Sequence, residues 1–374
     1  MAPRVLAVQV RDFRSYSRAA ATLGGSLSVV HGPNGAGKSN LLEAIYYGCT
    51  GRSPRTRNER ELVRFGTHAT RVTVQLLDGE ESHELAVGFG AEPGATHPTK
   101  RMSADGANVE RVLDAPFRPL VSVFLPDRLE LIKGPPAMRR SHLDQLIAAL
   151  WPARAADRSE YSRALAQRNA LLAGIRSGRA SRASLGAWDR ELAVAGLRVR
   201  ERRAQVAELL AGVFAERAHG LGIAGEVSLQ YRPRAGAADV EEYVRELSER
   251  LERDLERGFS GYGPHRDELA VLREGRELRV YGSQGEQRLA LLALLLAERA
   301  LLAQERGQVP LMLLDDVMSE LDAERRETLA GELRAGGQSV IATTDLVHVP
   351  GAGDPSVARL RISPGAVMQE AIAA

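Results

Sequence analysis

The chain has 374 residues, 44% of them hydrophobic and 26% charged, with a formal net charge of +2. That length allows two to three domain-sized units with an ample core, and so small a net charge means that affinity for an anionic partner needs local patches rather than bulk charge. The single cysteine, Cys49, excludes a disulfide framework and a cysteine-based zinc site, and no stretch approaches the roughly 18–20 apolar residues of a membrane span, so a cytoplasmic protein with no membrane partner is expected.

Residues 5–10 alternate like a strand, and the N-terminus lacks the apolar core of a signal peptide. Residues 27–30 form a short apolar run that predicts a buried strand, and 40–47 predict a helix. Between them stands Gly32-Pro33-Asn34-Gly35-Ala36-Gly37-Lys38-Ser39, the full GxxxxGK[ST] pattern. In a strand–loop–helix context the glycines let backbone N–H groups wrap a phosphate, Lys38 reaches the β/γ-phosphates, and Ser39 offers a hydroxyl to Mg²⁺. Only three of the fifty basic residues are lysines, so a lysine here points to a need for the compact ammonium. The expected contacts to ATP are Gly32, Asn34, Gly35, Gly37, Lys38, Ser39 and Asn40.

Residues 51–64 carry Arg52, Arg55, Arg57, Arg60 and Arg64 beside Ser53, Thr56 and Asn58. That mixture suits contact with a DNA backbone without base reading, and Arg52, Arg55, Arg57 and Arg60 are the candidate DNA contacts. The competing reading is a solvated basic loop. Residues 71–77 and 84–90 predict strands joined by a hairpin at Asp78-Gly79. A polar excursion over 92–108 reads as a loop, and 121–125 as a strand closed by Pro126-Asp127. From Ser141 the texture changes. Residues 141–173 and 184–219 predict two arms of a helical hairpin, each about 45–50 Å long, with a polar turn at 174–182. Arg198, Arg200, Arg202 and Arg203 read as a solvated face of the second arm. Further on, 223–232 predict a strand, 237–257 a charged helix and 280–303 a long apolar helix. His265 reads as a structural histidine. Residues 309–314 and 339–344 predict buried strands.

Leu311-Met312-Leu313-Leu314-Asp315-Asp316 is an apolar strand ending in two carboxylates. In a P-loop protein it reads as Walker B, a central strand ending next to the P-loop, with Asp315 in the Mg²⁺ shell and Asp316 placed to polarise the attacking water. Ser283-Gln284-Gly285-Glu286-Gln287 opens the long helix. Alone it is a good N-cap; a Ser and a Gly at a helix N-terminus also make an anion site. Between Walker A and Walker B it resembles the signature motif of the ATP-binding-cassette (ABC) superfamily, and Ser319-Glu320-Leu321-Asp322 resembles that superfamily's D-loop.

The resemblance then narrows. The opening Leu6-Ala7-Val8-Gln9-Val10-Arg11-Asp12-Phe13-Arg14-Ser15-Tyr16 resembles that of the RecF family of bacterial DNA-repair ATPases. So do Gly134-Pro135-Pro136 with Arg139-Arg140 and Leu143-Asp144, Gly263-Pro264-His265-Arg266-Asp267, and Tyr281-Gly282-Ser283-Gln284-Gly285. It implies an α/β fold: an ABC-type P-loop ATPase head whose lobe I is split between 1–118 and 286–374, with an inserted, mainly helical lobe II over 119–285 carrying a short antiparallel hairpin. It also implies ATP and Mg²⁺ as cofactors and gapped or junction DNA as partner. Its cellular setting would be gap repair, replication restart and SOS induction, alongside mediator proteins such as RecR. Two heads would pack head to tail, each ATP lying between Lys38, Ser39 and Asp315 of one subunit and Ser283, Gln284 and Gly285 of the other, with weak, DNA-stimulated hydrolysis. The hairpin is too short for the coiled coils of Rad50 and SMC relatives, whose heads it otherwise resembles. Departures from the pattern are Glu286 in place of a usual Gln, Asp316 in place of the Glu common in transporters, and Thr343-Thr344-Asp345 where a switch histidine would stand. Rival readings are an ATP-binding scaffold with negligible turnover and the ATPase subunit of a membrane transporter.

Overall fold

The computed structural model of the protein describes residues 3–91 and 97–370. The chain divides into two units, Met1–Arg128 with Leu302–Ala374, and Leu129–Leu301. The sequence pointed instead to boundaries after 118 and after 285. The change between the units after Leu301 falls inside one continuous helix, so no local signal marks it.

The first unit begins with β1 (Arg4–Phe13), β2 (Tyr16–Thr22), β3 (Leu27–His31), α1 (Lys38–Thr50), β4 (Ala69–Asp78), β5 (Glu81–Gly90), β6 (Thr99–Ala104), β7 (Ala107–Asn108) and β8 (Val121–Phe124). The second unit contributes α2 (Glu130–Lys133), α3 (Pro136–Leu150), α4 (Ala156–Arg176), α5 (Leu185–Gly220), β9 (Val227–Arg232), α6 (Val240–Glu249), α7 (Leu251–Arg257), β10 (Glu268–Arg273), β11 (Arg276–Glu277), α8 (Leu278–Tyr281) and most of α9 (Gln284–Arg306). The chain ends with β12 (Leu311–Asp315), α10 (Ala323–Arg334), β13 (Ser339–Thr343), β14 (Ala358–Ser363) and β15 (Ala366–Glu370).

Two six-stranded sheets build the first unit. One is antiparallel in the order β2-β1-β4-β5-β6-β7, and the other runs β15-β14-β3-β13-β12-β8, parallel except for β15. Helix α1 packs on both, touching β4, β1 and β5 on one side and β12, β13 and β8 on the other. Its residues Leu41, Leu42, Ala44, Ile45 and Tyr47 are at most 1% exposed, the pattern of a helix that is apolar all round because it is covered all round. Gly48 permits the close approach: a Cβ there would sit 2.3 Å from Val74 Cγ2 on β4. The side chain of Gln338 fastens the unit's two strand systems, donating to the carbonyls of Val5 and Gly24 and accepting from the Val5 N–H. Cys49 lies buried in this core, and burial pushes its thiol up to about 12.

The hairpin at Asp78-Gly79 forms as expected, Asp78 pairing with Glu81 across a Gly79 with φ +62°. The expected loop at 92–108 does not hold throughout: β6 folds back onto β5 and β7 onto β6, while 92–96 lie outside the described residues. Strand β13 lies between β3 and β12, so the Walker B strand is one strand removed from the P-loop strand rather than adjacent to it.

In the second unit the first hairpin arm is broken. Trp151-Pro152 separates α3 from α4, because proline cannot donate the next helical hydrogen bond. The hairpin proper is therefore α4, 21 residues, against α5, 36 residues, and only α5 reaches past 50 Å, at about 54 Å by helical rise. The helix expected at 237–257 is split into α6 and α7 at Arg250. Its apolar core gathers Tyr161, Leu192, Val199, Tyr243, Leu247 and Tyr262. Threaded through it is a buried polar network. Arg139 (3% exposed) makes a two-pronged pair with Glu268 at 2.8 and 2.9 Å and caps the Ile132 and Gly134 carbonyls. Arg168 (0% exposed) bonds Asp189 at 2.6 Å and both Asp254 and Ser260 at 2.7 Å. Arg203 bonds Asp144 through two nitrogens, at 2.8 and 3.0 Å, and also reaches the Pro264 carbonyl and Asp267. At 4% exposure Arg203 is no part of a solvated face, which corrects the reading of the 198–203 arginines. Arg200 likewise donates to the Ala235 and Ala237 carbonyls, and only Arg198 and Arg202 pair toward solvent, with Glu160 and Asp157. His265 is structural: its ring nitrogens bond the Tyr161 hydroxyl and the Ser260 carbonyl, and burial lowers its pKa, holding it neutral.

Candidate functional site

The apolar run of β3 ends at His31, and the chain turns into the P-loop because two glycines allow it. Gly32 has φ +153°, and a Cβ there would meet the Ile362 carbonyl oxygen at 2.3 Å. Gly37 has φ +118°, and its missing Cβ leaves room for the Tyr16 hydroxyl, which donates to the Gly37 carbonyl at 2.9 Å. Asn34 and Gly35 form the exposed crest of the loop. No side chain caps the N-terminus of α1. Its first N–H groups, at Lys38, Ser39 and Asn40, are thus left to receive an anion at the positive end of the helix dipole.

Lys38 is 7% exposed, and its ammonium donates to the Gly32 carbonyl at 2.8 Å and the Pro33 carbonyl at 3.0 Å. Burial pushes its pKa below the ordinary value, against the pull of Asp316 and Asp315. Asp315, at the end of β12, is equally buried. Burial raises its pKa, and so does the neighbouring charge of Asp316; a hydrogen bond from Ser39 and the charges of Lys38 and Arg55 act the other way. The structure therefore brings Lys38, Ser39, Asp315 and Asp316 to one place.

Asp316 departs from ordinary backbone. Its φ is +53°, a region that few residues other than Gly, Asn and Asp enter. The turn is held from both sides: the Asp316 N–H continues the ladder to the Ala342 carbonyl at 3.0 Å, and the Ser319 hydroxyl donates to the Asp316 carbonyl at 3.0 Å. Its Oδ1 is buried with no partner. A strained, pinned residue with an unused carboxylate oxygen is the arrangement expected where chemistry happens. A hard cation fits here: Asp315 and the Ser39 hydroxyl are its natural oxygen ligands. An ion held by these two residues would complete its shell with phosphate and water oxygens.

Sequence reasoning passed over a second layer. Glu43, 0% exposed in the middle of α1, accepts from Arg14 Nε and Nη2 at 2.9 and 2.8 Å, from the Ser53 hydroxyl at 2.6 Å and from Arg55 at 3.2 Å. Arg55 also donates to Asn40 at 3.1 Å, and Asn40 donates to the Ser15 hydroxyl. Arg55 is thus tied to the P-loop helix, whereas Arg52, Arg57 and Arg60 are exposed and their guanidinium groups have no partner among the described residues. The signal for this layer was one acid inside the apolar run NLLEAIYY, which a helix core tolerates only when paired.

In the second unit, Ser283 and Glu286 form a reciprocal cap at the start of α9. The Ser283 N–H donates to Glu286 Oε2 at 2.8 Å and the Glu286 N–H to the Ser283 hydroxyl at 3.2 Å. Glu286 is further paired with Arg273, and these contacts hold its carboxyl below the usual range. Either Glu or Gln can make this cap; what the glutamate adds over the expected Gln is the ion pair with Arg273, which balances its charge. Gln287 ties the turn by donating to the Leu278 and Gly282 carbonyls. Ser283, Gln284 and Gly285 stand exposed, with Val280 62% and Tyr281 70% exposed beside them. No histidine closes β13; Thr343 and Asp345 form a small turn there.

Comparison with known proteins agrees with this architecture. The AAA domain family matches residues 7–109. The DNA replication and repair protein RecF of Myxococcus xanthus is 39% identical, covering 97% of each chain. The protein of the same name from Heliobacterium modesticaldum is 34% identical over 92% of this chain and 93% of its own. A solved structure of the recombination mediator protein RecF-ATPrS in the RecFOR pathway superposes with a TM-score of 0.85 at 29% identity, over 99% of both chains. An Smc head bound to the C-winged helix domain of ScpA gives a TM-score of 0.59 at 16% identity, over 98% of both chains, a likeness of fold alone. The fold is that of an ABC-type P-loop ATPase head with a mainly helical insertion.

Proposed function

Because the chain belongs to the RecF family of DNA replication and repair proteins, we propose that it binds ATP and acts as an ATP-dependent DNA-binding protein of recombinational repair, at gaps and junctions and without reading base sequence. The observation that carries this reading is the meeting of Lys38, Ser39, Asp315 and Asp316 at the uncapped N-terminus of α1. There the first N–H groups of α1 hold the phosphates, and Lys38 adds its ammonium to the β/γ-phosphates. Ser39 and Asp315 would hold Mg²⁺, which would supply charge neutralisation for the transferred group. Asp316 orients the attacking water and takes its proton, the role its partnerless Oδ1 suits. A shorter carboxylate in a strained turn, with no histidine closing β13, supports slow turnover.

The signature face belongs to a second copy of this chain. Ser283, Gln284 and Gly285 are exposed together with Val280 and Tyr281, and large exposed apolar groups beside a helix N-terminus suit a surface covered by a partner head. ATP would join two heads and its hydrolysis release them. Arg52, Arg57 and Arg60 offer free guanidiniums for backbone phosphates. A recombination mediator such as RecR is the protein partner this setting implies.

The test is light scattering on Ser283→Arg and wild type, with and without ATP, paired with a gel shift on gapped DNA. Wild type should dimerise with ATP and retain gapped DNA more strongly in its presence. Ser283→Arg should bind ATP as a monomer and fail to dimerise. A normal dimer peak from the variant would remove Ser283 from the interface, and ATP-independent DNA retention by wild type would favour the scaffold reading.

A further inference from the structure

A cavity of about 400 Å³ in the second unit is ringed by Arg234, Arg250, Arg253 and Arg257. None of them belongs to the nucleotide site or to the loop after α1. Four guanidiniums around one concavity repel each other, and a concave wall of one sign focuses its field into the opening. Arg250 alone is accounted for, pairing with Glu246 at 3.2 Å and lying over the Tyr262 ring at 4.3 Å. The guanidiniums of Arg234, Arg253 and Arg257 have no partner among the described residues.

The one carboxylate lining the cavity cannot neutralise them. Asp254 is 2% exposed, and both its oxygens are committed inward, Oδ2 to buried Arg168 at 2.7 Å and Oδ1 to the Gly261 N–H at 3.0 Å. Gly261 also shapes the wall: a Cβ there would sit 3.2 Å from Arg257 Nη1, so the guanidinium lies directly on glycine backbone. The wall behind is rigid, because Arg168 fixes Asp254, Asp189 and Ser260 together.

We propose that this cavity is a phosphate-binding site for a ligand that presents at least two phosphate groups at once. Arginine forks suit paired oxyanions better than single ones. Two sources share that chemistry: neighbouring phosphodiesters of a DNA strand, and a free pyrophosphate-type anion. Only the first of these rests on the DNA-binding function proposed above.

The test uses the full chain, with a Lys38→Met background for the pyrophosphate titration alone, so that the P-loop is weakened as a phosphate site, and with Lys38 intact and ATP present for the DNA titrations. The variants are Arg253→Glu with Arg257→Glu, and, as a milder pair, Arg253→Ala with Arg257→Ala; Gly261→Ala displaces Arg257 without removing charge. Sodium pyrophosphate is titrated by calorimetry, and a fluorescent single-stranded oligonucleotide and its duplex by anisotropy over a salt series. If DNA is the source, the Glu pair weakens oligonucleotide binding at least tenfold, and the Ala pair lowers the log–log salt slope by about two. If a free anion is the source, micromolar pyrophosphate binding disappears in both pairs while DNA binding stands. Gly261→Ala should weaken whichever ligand binds. Unchanged DNA binding together with no pyrophosphate binding by the parent protein overturns the cavity and leaves the proposed function intact. Absence of DNA binding by wild type with ATP, alongside intact pyrophosphate binding here, overturns the function and not the cavity.

Discussion

Buried arginines of the second unit and those of the loop after α1 are the same side chain in opposite settings. Arg139, Arg168 and Arg203 are 3%, 0% and 4% exposed, and each is held by several oxygens. Arg52, Arg57 and Arg60 are exposed and hold nothing among the described residues. In the interior the guanidinium is a fastener: its partners are other buried charges, and removing it strands them. In the loop it is unspent charge, available to a phosphate from outside. Arg55 stands between the two classes, since it sits in the loop yet reaches the buried Glu43. Sequence position in a basic stretch does not tell these classes apart; partners do.

The sharpest way to break this contrast is Arg168→Met. It leaves Asp189 and Asp254 buried without their cation, so thermal or urea unfolding should show a loss of about 3–5 kcal/mol. A melting temperature within a degree of wild type would mean that the network is not structural. Lys38→Met should do the reverse. Hydrolysis should fall about 100-fold or more, as when a key transition-state contact is lost. The melting temperature should hold or rise, because burial already disfavours the charged lysine. Unchanged nucleotide affinity with a lowered melting point would make Lys38 a core residue. A smaller effect separates the loop arginines from Arg55. Arg57→Ala with Arg60→Ala should lower the salt slope of DNA binding by about two units at unaltered basal ATPase. Arg55→Ala should instead raise the KM for ATP, through Asn40 and Glu43, and a drop in salt slope alone would return it to the free class.

The smallest shift concerns Asp315. Its folded pKa is raised, so the folded state binds its proton more readily than the unfolded chain does. Stability from this group is present below the unperturbed value near 3.8 and falls as pH climbs through the raised value. Asp315→Asn should therefore raise the melting temperature by about 2 °C at pH 8, with the gain vanishing in acid. A lower melting temperature at pH 8 would show that the Ser39 and Lys38 contacts outweigh the burial.

What the sequence made legible was local. The P-loop, its flanking strand and helix, the hairpin at Asp78-Gly79 and the acidic end of β12 each carry their signal within a dozen residues. β2 escaped because Tyr16–Thr22 reads SRAAAT after its first residue, with small side chains that give no clear alternation. β6 and β7 escaped because they are short and polar at the open end of the sheet, where β7 is the edge, and strands at an edge need no apolar pattern. The intercalation of β13 between β3 and β12 depends on its pairing with β3, hundreds of residues away, which leaves no local trace. In the site, Lys38, Ser39 and the two aspartates were readable as motif positions. The Arg14–Glu43–Arg55 link was not, because it joins a β-turn, a helix and a loop through one buried carboxylate. Glu286 stood out only as a departure from a usual Gln, when its first task is to cap a helix with Ser283.

The turn at Asp316 also acts as a filter on which acids this position accepts. Left-handed backbone there admits glycine, asparagine and aspartate readily, and of the three only aspartate brings a carboxylate. Glutamate would carry its carboxylate one methylene further, and the fold accepts longer side chains in this region at Arg14 (φ +50°) and Glu274 (φ +48°), so the filter is a preference and not a bar. The hydrogen bonds that hold the turn, from the Asp316 N–H to Ala342 and from Ser319 to the Asp316 carbonyl, use backbone atoms of residue 316, so a descendant sequence could lengthen the acid while keeping the turn, and the carboxylate alone would move by one methylene.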